Sequence, residues 1–205
     1  MTTFFAIGIV LNVVLTGLAF YWLWRQRIPK PGKGEPGKAR LAHGQNRHET
    51  IGAPDASSHY LAEHAQRLAG SYRHWTGRDL VAPGLSAMEQ ARALYEAPFV
   101  VASHGSGEDP VFNYANRAAL TLFETGWPDF VGMPSRLSAE PMERAQRAQL
   151  LASVSRRGFI DNYSGIRISA TGRRFRIHRA TVWNVMDASG APAGQAVMFR
   201  DWEYL

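Results

Sequence analysis

The 205-residue sequence is 45% apolar and contains no cysteine. It therefore holds enough apolar residues for a true core, and it excludes disulfides, zinc–thiolate sites, iron–sulfur clusters, covalent haem attachment and thiol catalysis. Its formal charge of +6 is confined: residues 25–50 carry seven Lys/Arg and two Glu, a net +5, and residues 51–205 carry sixteen basic against fifteen acidic residues, a net +1. A nucleic-acid surface needs its basic residues on the folded domain, so no nucleic-acid partner is expected.

Phe4–Trp24 is a run of 21 residues without a charged side chain. As a helix it reaches roughly 31 Å, the thickness of a bilayer core. Tyr21, Trp22 and Trp24 sit at its downstream end, where aromatic rings favour the membrane interface, and Arg25, Arg27 and Lys30 follow. A cleavable signal peptide fits poorly, lacking a basic start and a small-x-small cleavage site. A buried soluble helix rarely runs this long without a polar face. The expectation is one transmembrane anchor in a cell inner membrane, with the rest of the chain cytoplasmic. Residues 25–56 read as a linker of interleaved Pro, Gly and Lys, either a plain tether or a segment lying on anionic headgroups.

The folded region is expected over residues 57–205. Leu61, Ala65, Leu68, Tyr72 and Trp75 share one helical face, and Gly77 stops that helix. Ser86 and Glu89 form a capping-box pattern before a second helix that ends at Pro98. Phe99–Ala102 reads as a buried strand, residues 103–109 as a polar loop, and Val111–Tyr114 as a second strand. An amphipathic helix then opens near Asn116. Trp127–Phe130 and Gly132–Pro134 suggest short turns, and Ser138 with Pro141 starts a helix ending at Gly158. Beyond it the period becomes two, predicting strands over Phe159–Ser169, Arg173–Met186 and Gly194–Arg200, joined by turns at 171–172 and 187–190.

Two strands, helices, then three antiparallel strands is the order of a PAS-type domain: an α+β fold with a five-stranded antiparallel sheet and helices on one face. The residues carry a narrower resemblance. The blocks Ser71–Leu80, Ala97–Gly105, Asp109–Arg117, Pro134–Pro141, Gly158–Ser169, Gly172–Phe175, Thr181–Asn184 and Gly194–Gln195 resemble the MEKHLA domain family, a PAS-related group, over about Ser57 to Trp202. The hexapeptide that names the family is absent, and Ala115 stands where the pattern leads one to expect Gly. The resemblance implies sensing or protein interaction, with no generally assigned ligand or reaction.

Polar residues expected to converge on a PAS-type cavity are His104, Asn113, Asn116, Arg136, Asn162, Arg167, Asn184 and Gln195. Amide side chains facing a cavity offer a small ligand both donor and acceptor. Gln195 sits where related light-sensing domains place a flavin-contacting Gln. Those domains also need a reactive Cys, so covalent flavin photochemistry is excluded while noncovalent flavin stays open, and no cofactor is assigned. The structural alternatives are a cap and a turn for Asn116 and Asn113, and ion pairs of Arg136 and Arg167 with Glu140 or Asp161.

Ser103, His104 and Asp109 are neighbours in sequence, but a catalytic triad is defined by spatial geometry. The seven histidines form no HExxH pattern, and His59 and His64 lie five apart, so neither catalysis nor a metal site is expected. Trp75, Trp127, Trp183 and Trp202 are assigned to the core. The resulting expectation is a membrane-anchored sensory, ligand-binding or interaction module, without catalytic output, that acts through a protein partner, with or without a small-molecule ligand. The alternative is an accessory subunit whose helix packs in a larger membrane assembly.

Overall fold

The computed structural model describes residues 52–140 and 144–205. The expected anchor Phe4–Trp24 and most of the linker lie outside these. Among the described residues no helix is long and apolar enough to cross a membrane.

Packing begins at Pro54, which is fully buried, and Asp55 then organises a turn by accepting from the Ser57 and Ser58 amides at 2.8 and 3.0 Å. Helix α1 spans Ala62–Thr76. Leu61, counted by spacing as its first inward residue, instead lies just ahead of it with a left-handed backbone. Gly77 ends the helix, as expected, returning its amide to Arg73 O at 2.9 Å with φ +70°. Helix α2 (Ala87–Glu96) opens with the full capping box of Ser86 and Glu89. Strands β1 (Val100–Gly105) and β2 (Phe112–Ala115) follow, then the short helices α3 (Arg117–Leu122) and α4 (Trp127–Phe130). A 3-10 turn at Ser135–Ser138 leads to α5, described over Arg144–Arg157. Strands β3 (Phe159–Ile168), β4 (Arg174–Met186), β5 (Pro192–Phe199) and β6 (Asp201–Tyr204) complete the domain.

All pairings are antiparallel, in the order β2-β1-β5-β4-β3, which is a PAS-like sheet. A sixth strand was not expected. Past Arg200 the chain resumes pairing with the other end of β4, Phe175 opposite Tyr204 and His178 opposite Asp201. β4 is 13 residues long, so β5 and β6 both fit along one of its edges.

The expectation of helices on one face is corrected. One apolar layer joins Ala65, Leu68 and Tyr72 of α1 and Leu94 of α2 to Val101, Tyr114, Trp183 and Val185 of the sheet. The other joins Leu122, Phe123 and Phe130 to Val100, Ala102, Phe112, Phe175, Ile177 and Phe199. Adjacent β1 residues fall in opposite layers, because successive side chains of a strand leave opposite faces. Both faces are therefore covered. Trp183 and Trp127 are buried as expected, whereas Trp75 and Trp202 are only half-buried at the margins.

Helix α1 is also tied to β4 by polar contacts: Trp75 Nε1 donates to Asn184 O at 2.9 Å, and Ser71 Oγ accepts from the Met186 amide at 2.9 Å. Opposite, Gly158 closes α5 with its amide on Val154 O at 2.8 Å and φ +92°. A Cβ at Gly158 would collide with the Trp75 ring. Gly158→Ala combines a disfavoured backbone conformation with overpacking, and is expected to lower stability by about 2–4 kcal/mol, read as a fall in the urea midpoint at unchanged slope.

Candidate functional site

Helix α5 is the element that makes the site. Arg147, Leu150, Leu151 and Val154 recur at three- and four-residue spacing, so Arg147 lies on the same inward stripe as three apolar residues. The C-terminal turns are held by two amides from the sheet. Asn184 Nδ2 donates to Val154 O at 3.0 Å and Ser155 O at 3.4 Å. Gln195 Nε2 donates to Leu151 O at 3.0 Å, Ser155 Oγ at 3.1 Å and Asn184 Oδ1 at 3.0 Å. Carbonyl oxygens only accept, so both amide orientations are fixed, and among the described residues no protein group donates to Gln195 Oε1.

Between α5 and the sheet lie two adjoining cavities. The inner one, about 50 Å³, has apolar walls from Ala102, Phe112, Phe123, Ile177, Val197 and Phe199, with polar groups from His104, Arg147, Tyr163, Arg167 and Gln195. The outer one, about 480 Å³, is bordered by residues 104–110, Ser135, Arg136, one side of α5, Asn184, Gly194 and Gln195. His104, Arg147, Leu151 and Gln195 line both and form the partition. A water needs on the order of 10–15 Å³ measured this way, so the inner cavity has room for a few waters or one small group. The outer cavity falls in the range of ordinary ligand sites, about 300–1,000 Å³. At the outer rim Gly105 and Gly194 pair across β1 and β5, and a Cβ on Gly194 would strike His104 O.

His104 is buried, and its Nδ1 lies 2.8 Å from Gly105 O. That nitrogen must donate, which leaves Nε2 as an acceptor in the neutral ring. Burial pushes its pKa down to about 4, opposed by the Gly105 hydrogen bond and reinforced by Arg147.

The eight expected site residues thus separate. His104, Arg167, Asn184 and Gln195 border the cavities, with Arg136 at the outer rim. Arg136 does pair with a carboxylate, but with Asp109 (two contacts of 3.0 Å) rather than Glu140. Glu140 takes Arg174 and Asp161 takes Arg78, so Arg167 has neither expected partner. Asn116 is fully buried and structural: its Oδ1 caps α3 at Ala119 N and accepts from Val101 N, both at 3.0 Å, while its Nδ2 donates to Phe99 O at 2.6 Å. Asn113 is the extra residue of a β-bulge, and it accepts from Ser103 Oγ at 2.6 Å on the α1 face. Asn162 sits at a second bulge with φ +60° and is exposed. Arg147, Tyr163 and Ser138 were missed; the apolar neighbours of Arg147 at helical spacing were the available signal.

Ser103, His104 and Asp109 do not converge. Ser103 Oγ meets His64 Nε2 at 3.0 Å on one face, His104 faces the cavities on the other, and Asp109 holds Arg136. Because Ser103 donates to Asn113, it accepts from His64 Nε2–H; at 1% exposure its hydroxyl is closed to any substrate. His64 is likewise pushed down to about 4 by burial, with Arg67 adding to it and Glu63 opposing.

A family model described as "MEKHLA domain" matches residues 62–204. The chain belongs to the MEKHLA domain family. Similar proteins include the homeobox-leucine zipper proteins HOX32 of Oryza sativa subsp. indica, 26% identical over 155 residues, and ATHB-8 of Arabidopsis thaliana, 25% identical over 174 residues. These matches cover 75% and 82% of this chain but only 18% and 20% of the relatives, so it spans about a fifth of their length. Among solved structures, a PAS domain from Colwellia psychrerythraea is 13% identical, with a TM-score of 0.49 over 55% of this chain and 93% of that one. An RNA-binding light-oxygen-voltage receptor is 17% identical, with a TM-score of 0.47 over 58% of this chain and 34% of that one.

Two outcomes are expected from the MEKHLA site as built. Between pH of about 4 and 6.5 the unfolded chain binds protons at His64 and His104 that the folded chain does not. Stability is therefore full above pH 6.5 and falls on acidification through that window, by up to about 3 kcal/mol per histidine. Denaturant titrations at neutral pH and near about pH 5 should show the loss, reduced in His64→Gln and in His104→Gln. Secondly, Gln195→Leu leaves Leu151 O and Asn184 Oδ1 without this donor and should lower stability by about 1–3 kcal/mol in the same assay.

Proposed function

We propose that this chain is a ligand-sensing MEKHLA module, without catalysis of its own, held at a membrane and acting through a protein partner. One observation carries the reading: the two amides that border the cavities, Asn184 and Gln195, are also the groups that hold α5. Gln195 lines both cavities while donating to Leu151 O and Ser155 Oγ of the helix. A small molecule that enters and competes for Gln195 or Arg147 acts directly on the attachment of α5. Occupancy then biases helix position, which is what a sensor needs.

The inner cavity is too small for a flavin-sized ring as it stands, which argues against a flavin there. The separation of Ser103, His104 and Asp109 supports a binding role over a hydrolytic one. Membrane tethering rests on the uncharged run Phe4–Trp24 and its basic flank, which support a domain on the cytoplasmic side of an inner membrane. A protein partner is carried into the reading from the family resemblance, which implies sensing or protein interaction.

Native mass spectrometry of the full chain in mild detergent is expected to show one small-molecule adduct. Ala102→Leu fills the inner cavity and should remove the adduct while leaving the circular dichroism spectrum unchanged. A wild-type chain without adduct, or an Ala102→Leu variant that keeps it, would overturn the reading.

A further inference from the structure

Arg147 and Arg167 are each about nine-tenths buried, and both line the inner cavity. Each guanidinium has five N–H donors. Among the described residues Arg147 gives one hydrogen bond to protein, Nη2 to Ser135 Oγ at 3.0 Å. Arg167 gives two, Nη1 to Ile166 O at 2.7 Å and Nη2 to Tyr163 OH at 3.1 Å, and its guanidinium lies 5.4 Å from the Tyr163 ring centroid. Among the described residues neither forms an ion pair. The neighbouring carboxylates are engaged elsewhere, Asp109 by Arg136, Glu140 by Arg174 and Asp161 by Arg78. Glu108 and Asp109 border only the outer cavity, and among the described residues no carboxylate lines the inner one.

Two buried cations facing one apolar-walled space, with most of their donors without a partner among the described residues, form an arrangement that folded proteins ordinarily compensate with an anion. We propose that the inner cavity binds a small organic carboxylate, its head held by Arg147 and Arg167 and its short apolar body against Ala102, Phe112 and Val197.

The proposal rests on the ligand-sensing reading and names its ligand class. A guanidinium fork matches a planar carboxylate in two parallel hydrogen bonds. The volume of about 50 Å³ excludes nucleotides and other large phosphate esters, and the apolar walls disfavour polyols. Burial lowers the pKa of Arg147 to about 10, the charge of Arg167 adds to this, and Tyr163 and Asp109 oppose it. A bound carboxylate would reverse that strain on the charged form. It would also place an acceptor beside the last helix turns that Gln195 holds, linking occupancy to α5.

The test uses the full chain in mild detergent, with acetate, propionate, butyrate and benzoate as probes and their primary amides as neutral counterparts, at constant ionic strength in chloride. Carboxylates of suitable length are expected to raise the melting temperature, and the amides are expected not to. Arg147→Gln and Arg167→Gln should each weaken calorimetric affinity about 10–100-fold, the loss of a charge-assisted pair. Their unliganded melting temperatures should equal or exceed that of the wild type, since a buried uncompensated charge is removed. Arg147→Lys keeps the charge without the fork and should fall between, which separates recognition from loss of fold. Amides binding as well as carboxylates, or carboxylates binding equally to both Gln variants, would overturn the anion proposal while leaving ligand sensing intact. Binding of neither series also overturns it, and the adduct measurement then decides independently whether the cavity senses another ligand.

Discussion

Helix α5 is received on the sheet where two side-chain amides on adjacent strands meet its backbone. Asn184 and Gln195 are directly cross-strand in β4 and β5, so the register of that pairing sets where the helix is received. Had either strand slipped by one residue, its amide would point to the α1 face and α5 would lose that contact. Register, helix position and cavity shape are thus one constraint. These polar contacts gather at the helix's C-terminal turns, while Arg147, a turn or more earlier, borders the cavities.

The same constraint distributes the charges. Arg78, Arg136 and Arg174 form surface pairs with Asp161, Asp109 and Glu140, with arginine side chains about half exposed, and each such pair contributes little, roughly 0–1 kcal/mol. None of these three carboxylates forms an ion pair with the buried Arg147 or Arg167. A chain with a net charge near zero over its folded part can still line one interior space with two buried arginines.

Much of this order was legible in the sequence. Helical spacing located α1, the Ser86 capping box located α2, and the change to period two after Gly158 located the last strands. What escaped has physical causes. Period-two reading assumes unbroken strands, and bulges at Asn113 and beside Asn162, with Arg179 at φ +49° in the facing strand, shift the alternation. Asn162 consequently faces solvent. The second helical layer was invisible because a helix pattern states which of its faces is apolar, not which side of a sheet it covers. Ion-pair partners were assigned by sequence nearness, whereas folding brought Arg136 to Asp109 across 27 positions. Arg147 was passed over because an arginine in a helix is ordinarily solvated, and only its neighbours Leu151 and Val154 argue otherwise.

The glycine pair at the rim, Gly105 opposite Gly194, makes the entrance adjustable from one side only. Gly194 cannot gain a side chain without pushing the backbone of β1 away, so that half of the doorway is fixed by the sheet. Gly105 has open space where a Cβ would project and is not among the glycines at positive φ. A methyl or hydroxymethyl there would narrow the passage without disturbing strand pairing. Access to the interior, and with it the rate at which a guest arrives and leaves, can therefore drift independently of what the interior recognises.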